Sequence, residues 1–423
     1  MNKRSYLFYT FLLVVFSTLH GQTTKKEIYE DLCKSGGVYY AYQSPKEKQT
    51  AVPVGYTPFY ICMYGRHGSR YLLDDKDYRD MITLLNSANT HNALSPLGKD
   101  VLSRLKIVYQ DSKDRDGDLS SLGVKQYRGI AERMFESSPS VFNDSSVITA
   151  RSSLVIRSIL SMDAFCERLK EQNPSLSISR NATKRDADIM NYHTSRSDSF
   201  DLESSTWHKE LNRFETSLLR PDRLVHSLFT SQTFIDKNIK PINLMWSLYW
   251  IASDMQDMEV PISFYDVFDK QELFDLWQCF NARFYITCGK YTKNDGIPLE
   301  NEKPLLNDMM NQASTYIDTK KTGATFYFGH DMNLMRLVSL LGIDGYCGSV
   351  SEPADFYKVF SDFKIAPMAG NIQLTFYRHG SSDDILVKFM LNEKECNIPI
   401  DSNIRPYYHW TDVKSYMKRI CSK

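Results

Sequence analysis

The sequence predicts an α/β fold, a sheet domain flanked by helices and interrupted by a mostly α-helical cap. Three observations predict it. Strand, loop and helix patterns follow one another at 56–88 and again at 324–341. Between them, from 171 to 320, helical patterns and indole rings (Trp207, Trp246, Trp250, Trp277) dominate and clear strands are few. Two polar clusters, 66–70 and 330–331, directly follow apolar strands, where α/β sheets hold their ligands.

The chain opens on an address. Lys3 and Arg4 precede an apolar run, Tyr6 to Phe16, broken only by Thr10, and Gln22 then opens a charged stretch. That is the layout of a secretory signal peptide over 1–21, and it implies an exported protein, periplasmic or secreted. The run is too short to span a bilayer, which takes ~20 apolar residues, so the mature chain is expected to have no membrane segment. The mature part divides into 22–170 and 321–423, two halves of the sheet domain, with 171–320 as the cap.

Tyr56 to Met63 is a buried strand pattern and Asp75 to Ala88 a helix. A polar segment runs on to Asp118. Leu119-Ser120-Ser121-Leu122-Gly123 leads into a helix through Phe135, with Ile130 and Met134 on its apolar side. Val147 to Thr149 is a short strand. Leu154 to Leu169 is an amphipathic helix with Ile156, Leu160 and Ala164 at helical spacing. Ala324 to Phe328 is the next strand, and Asn333 to Leu341 the helix after it. Ile372 to Tyr377 and Ile385 to Leu391 pair as an antiparallel hairpin across a polar turn.

Charge excludes one class of partner. Lys and Arg number 51, as do Asp and Glu, and removing 1–21 deletes only Lys3 and Arg4, leaving net −2. A near-neutral chain lacks the broad basic field of a nucleic-acid binder, so any anion site is local. The eight cysteines lie beyond the signal segment; export permits disulfides, but their spacing does not suggest zinc.

The first cluster is such a local site. Arg66 and Arg70 flank His67 within five residues. Guanidinium forks match the oxygens of a phosphate group. Neighbouring positive charge favours the neutral imidazole, whose free lone pair can attack phosphorus. Gly68 lets backbone approach without a side chain in the way. The same letters recur at Arg378-His379-Gly380-Ser381, but in the polar hairpin turn and without a second arginine, so that copy reads as structural.

With these residues the chain resembles the histidine acid phosphatase superfamily, in its large-capped acid phosphatase and phytase branch. Arg66-His67-Gly68-Ser69-Arg70 is similar to its first motif. Leu119 to Gly123 with Gln126 resembles its helix start, Arg157 with Ser161, Ala164 and Phe165 its third phosphate arginine, and His330-Asp331 its late His-Asp pair. The resemblance implies a phosphoglycerate-mutase-like sheet domain with an inserted cap, and a phosphate-ester hydrolase that needs no metal or other cofactor. It implies His67 as nucleophile and Asp331 as proton donor, with Arg66, Arg70, Arg157 and His330 on the phosphate oxygens. Arg151 lies near enough to compete for the third arginine's place; the spacing to Ala164-Phe165 favours Arg157.

The likeness is greater to multiple inositol polyphosphate phosphatases, through Tyr71 and the stretches 328–342 and 365–371. Many of that group carry His-Ala-Glu at the late motif, where this chain has His330-Asp331-Met332. The implied substrate is a small phosphate ester such as an inositol polyphosphate. A broad acid or sugar phosphatase, and a phosphate-ester binding protein without turnover, are the alternatives. Lys184, Arg185 and His193 form a basic stretch that either meets outlying phosphates or is a solvated loop.

Overall fold

The computed structural model describes residues 20–190, 193–202, 205–380 and 382–422. The expected signal segment lies outside them except for its last two residues, which open the first helix.

The strands are β1 (Tyr56–Arg66), β2 (Val147–Ser152), β3 (Ser177–Asn181), β4 (Gly323–Gly329), β5 (Asn371–His379), β6 (Ile385–Leu391), β7 (Lys394–Cys396) and β8 (Tyr407–His409). They form one mixed sheet in the order β3-β2-β4-β1-β5-β6-β7, with β8 also on β6. Pairing is parallel from β3 to β1 and antiparallel from β1 onward. From Phe59 on, every residue of β1 is buried, as both faces of a central strand are covered.

The helices that bear on the site are α1 (His20–Glu30), α2 (Lys76–Thr90), α3 (Pro96–Ser112), α4 (Ser121–Ser137), α5 (Ile156–Gln172), α6 (Pro241–Asp254), α7 (Lys270–Cys288), α8 (Lys303–Asp318), α9 (Asp331–Leu341) and α10 (Trp410–Ser422). Strand alternation sorts them into two layers. Ile61 and Met63 of β1, with Phe326 and Phe328 of β4, pack against Ile130 of α4 and Phe165 of α5. Tyr60, Cys62 and Tyr64 point the other way, into a core shared with α8, α9 and α10. The cap has its own core, in which Tyr78 and Leu85 of α2 and Leu105 of α3 meet Leu248 and Tyr249 of α6.

Three expectations are corrected. The span 171–320 is not all cap. It begins with β3, a sheet-edge strand whose Ser-Ile-Ser-Arg-Asn is half exposed and so carries no apolar signal. It ends with α8, which packs on the sheet. Conversely α2 and α3, placed by sequence in the sheet domain, pack into the cap core. The polar segment before Asp118 holds α3, started by Pro96 and by Ser95, whose hydroxyl accepts from Gly98 N, and buried through Val101, Leu105 and Val108.

The third correction is the buried face of α5. Ile156 is 70% exposed and Leu160 46%, while Ser158, Ser161, Met162, Phe165 and Leu169 face inward. Serines hold the inner face because backbone lies close: Ser158 Oγ donates to Gly329 O at 3.3 Å and Ser161 Oγ accepts from Gly68 N at 3.0 Å. Hydropathy alone therefore set the stripe one residue off. All eight cysteines are unpaired, and four of them are buried.

Truncating Phe165 to alanine is expected to cost ~3–5 kcal/mol of unfolding free energy. Leu160→Ala should stay within about 0.5 kcal/mol of the parent. Urea unfolding followed by circular dichroism measures both.

Candidate active site

Parallel pairing of β1 with β4 sets Arg66 opposite Gly329, so the segments leaving these strands, 67–70 and 330–331, start side by side. His67 N donates to Gly329 O at 2.9 Å, and the rings of His67 and His330 lie 5.8 Å apart. Residues 366–370 close the other side: Arg66 N donates to Gly370 O and His67 O accepts from Ala369 N.

Two glycines allow the chain to pack this tightly. A Cβ on Gly68 would sit 2.6 Å from Gly123 O, and one on Gly123 would sit 2.4 Å from Ser69 O. The loop 67–70 and the first turn of α4 thus touch backbone to backbone, which is the physical content of the Leu119–Gly123 motif. Every polar atom of Ser69 is bonded. Its N–H donates to Gln126 Oε1 (2.9 Å), its carbonyl accepts from Ser120 N (2.9 Å), and its hydroxyl donates to Asp257 Oδ1 (2.5 Å) and accepts from Gln126 Nε2 (2.8 Å).

His67 is 2% exposed. Its Nδ1 lies 2.9 Å from Gly68 O, a carbonyl, so Nδ1 carries the proton and Nε2 keeps its lone pair. Burial, and then the charges of Arg66, Arg157 and Arg70, hold its pKa well below the ordinary imidazole value. His330 is pushed down to about 4, first by burial; Asp331 pulls the other way, and Arg157, Arg66 and Arg70 add to the lowering. Its Nε2 lies 3.3 Å from Ser153 Oγ, and Tyr64 OH accepts from its backbone N–H at 2.8 Å.

Arg66 is wholly buried. Nη1 donates to the carbonyls of Val38 and, at 2.9 Å, Ala366, and Nη2 lies 3.0 Å from Asp331 Oδ2. Arg70 donates to Tyr71 O at 2.8 Å and lies over the Tyr39 ring at 4.9 Å. Asp331 opens α9 and its side chain keeps 21% exposure. Burial pushes its carboxyl upward, but Arg66, then His330 and Arg70, outweigh this and hold it below the ordinary carboxylate range.

The two arginines considered for the third place part company. Arg151 is taken by carboxylates, at 2.8 Å from Asp308 and 3.7 Å from Asp186. Arg157 acts electrostatically on both His67 and His330, and its carbonyl accepts the Ser161 hydroxyl that holds Gly68. The second Arg-His-Gly lies at the far end of β1, where His379 pairs with Tyr56. Eleven residues of extended chain, about 36 Å, separate Tyr56 from His67. There the Arg378 guanidinium stacks on Phe59 at 3.9 Å. Lys184 and Arg185 are exposed, and His193 is exposed with Nδ1 2.9 Å from Asp198 Oδ1.

Sequence reasoning missed Val38, Tyr39 and Asp257. Val38 acts through its carbonyl, which no side-chain pattern reports. Tyr39 and Asp257 lie far from the motifs along the chain and meet them only through the packing of 32–39 on α6 and α7.

Comparisons with known proteins agree with this fold. No curated protein matches the sequence. Among solved structures, a multiple inositol polyphosphate phosphatase from Bifidobacterium longum in complex with inositol hexasulfate is 19% identical, with a TM-score of 0.74 over 91% of this chain and 97% of that one. The phytase from D. castellii is 15% identical, with a TM-score of 0.69 over 92% and 85%. A Hafnia alvei phytase is 14% identical, with a TM-score of 0.53 over 88% and 99%. At such identities the likeness establishes the fold. A family model matches residues 63–392, from the end of β1 past β6, and by that match the chain belongs to the histidine phosphatase superfamily, branch 2.

Proposed function

We propose that this phosphatase is an exported phosphomonoesterase that hydrolyses inositol polyphosphates through a phosphohistidine on His67. The observation that carries the chemistry is the His67 ring itself. Its Nδ1 is tied to Gly68 O, which leaves Nε2 unprotonated among Arg66, Arg157 and Arg70. The substrate class rests on the shared fold with a phosphatase bound to inositol hexasulfate. Export rests on the charged start and short apolar run of residues 1–21.

The reaction runs in two steps. Nε2 of His67 attacks phosphorus as the ester P–O bond breaks. Arg66, Arg70, Arg157 and His330 hold the non-bridging oxygens, where charge builds in the transition state. Asp331 gives its proton to the departing alkoxide. Water then attacks the phosphohistidine, Asp331 takes a proton back, and phosphate leaves.

Asp331 is ionised before substrate arrives, because Arg66 holds it at 3.0 Å. An incoming phosphate competes for the same guanidinium. That competition relaxes the hold on the carboxyl, and a monoanionic ester supplies the proton. The remaining exposure of Asp331 gives the leaving alcohol a way out.

Rapid-quench trapping with labelled substrate is expected to place phosphate on His67, and His67→Ala to abolish both the adduct and turnover. In a panel of phytate, glucose 1-phosphate and an aryl phosphate, phytate should turn over; turnover of the aryl ester without phytate would overturn the inositol assignment. Arg157→Ala should cost about 3–4 kcal/mol in kcat/KM. Arg151→Ala should lower the unfolding temperature and leave kcat/KM near the parent value.

Because His67 titrates well below 6.5, kcat/KM should not fall as pH is lowered through that value. A loss centred at 6.5 would mean that an ordinary imidazole, and not this one, does the chemistry. Asp331→Asn should slow alkyl esters by ~10²–10⁴-fold and aryl esters much less, since aryl leaving groups need little protonation.

A further inference from the structure

The nucleophile loop is held from the cap as well as from the sheet. Asp254 ends α6, and Asp257 closes the short 3₁₀ turn after it. Both are fully buried. Asp257 Oδ1 accepts the Ser69 hydroxyl at 2.5 Å, and Asp254 Oδ2 accepts Leu72 N at 3.1 Å and Tyr78 OH at 3.3 Å. Their second oxygens, Asp254 Oδ1 and Asp257 Oδ2, are buried without a hydrogen bond and lie in the field of Arg70. Burial pushes both carboxyls up, Asp254 to about 7 and Asp257, which also feels Asp254, well above the ordinary range, so placing them here costs stability that Arg70 only partly offsets.

We propose that Asp257 is a positioning residue for the phosphatase reaction, acting through Ser69 to fix the loop that carries His67 and Arg70. The proposal rests on the reading of His67 as nucleophile. Ser69 directly precedes Arg70 and stands two residues after His67, so fixing its hydroxyl and backbone limits where the loop on either side of it can move. Gln126 fixes the same residue from α4, so the loop is pinned from two independent elements. Apolar packing of α6 against α2 makes the cap anchor rigid. The cap thereby takes part in the chemical step without touching the substrate.

The test is single-turnover trapping of phosphate on His67 in Ser69→Ala, Asp257→Ala and Asp257→Asn. An imidazole misaimed by 1 Å loses about 10²-fold in attack rate. Ser69→Ala and Asp257→Ala should slow adduct formation by about that factor, while KM moves only a few-fold, because Arg66 and Arg157 still hold phosphate. Asp257→Asn keeps an acceptor for the Ser69 hydroxyl and should recover most of the rate. A residue that serves stability alone would lower the unfolding temperature and leave the trapping rate of the folded protein unchanged; that result overturns the proposal. Should Asp257→Ala fail to fold, Ser69→Ala and Asp257→Asn decide the matter. If the parent protein forms no adduct and releases no phosphate, the phosphatase reading itself fails and the positioning role falls with it.

Discussion

Cations crowded into one buried space are the constraint from which the rest of the site follows. Arg66, Arg70 and Arg157 all bear on His67, and two of the three guanidinium groups are buried. Like charges so close and so dry are costly unless compensated. Asp331 compensates at 3.0 Å from Arg66, and the carbonyls of Val38, Ala366 and Tyr71 accept guanidinium hydrogen bonds. In the proposed reaction the phosphate group of the ester brings further negative charge to this space. The same field favours the neutral imidazole of His67, so one arrangement would serve both to attract an anion and to keep the proposed nucleophile unprotonated.

Geometry comes from backbone more than from side chains. Parallel pairing brings the ends of β1 and β4 together, and the bond from His67 N to Gly329 O carries that register past the strands. The contact between Gly68 and Gly123 then lets α4 press its first turn against the loop. A methyl group at either glycine would push the loop and helix apart. Ser161 joins the two requirements, since its hydroxyl links Gly68 N to the carbonyl of Arg157.

Much of this was legible in the sequence, and the gaps have physical causes. The sheet domain was readable because β1 and β4 are continuous apolar runs ending in polar clusters. Arg66, His67, Arg70, His330 and Asp331 were readable because each sits directly after such a run. Arg157, expected from its register with Phe165, lies where its charge reaches His67 and His330, whereas Arg151 is taken by carboxylates. The β3 edge strand escaped because its residues face water on most sides. The inner face of α5 was misread because close backbone approach puts serine where hydropathy looks for leucine. Asp257 and Tyr39 escaped because their roles exist only after distant segments pack.

The central position of β1 has a consequence for how the chain matures. Tyr60 pairs with Gly323 on one side and Phe376 on the other, both more than two hundred and fifty residues downstream. Closing loops that long precedes any reward from the pairing, and topologies of this kind fold slowly. Until β4 and β5 emerge, an eleven-residue apolar segment has neither neighbour and invites association with other chains. The residues of the cap core, 71 to 279, all precede β4 and β5 along the chain, so its packing does not depend on those late strands having been made.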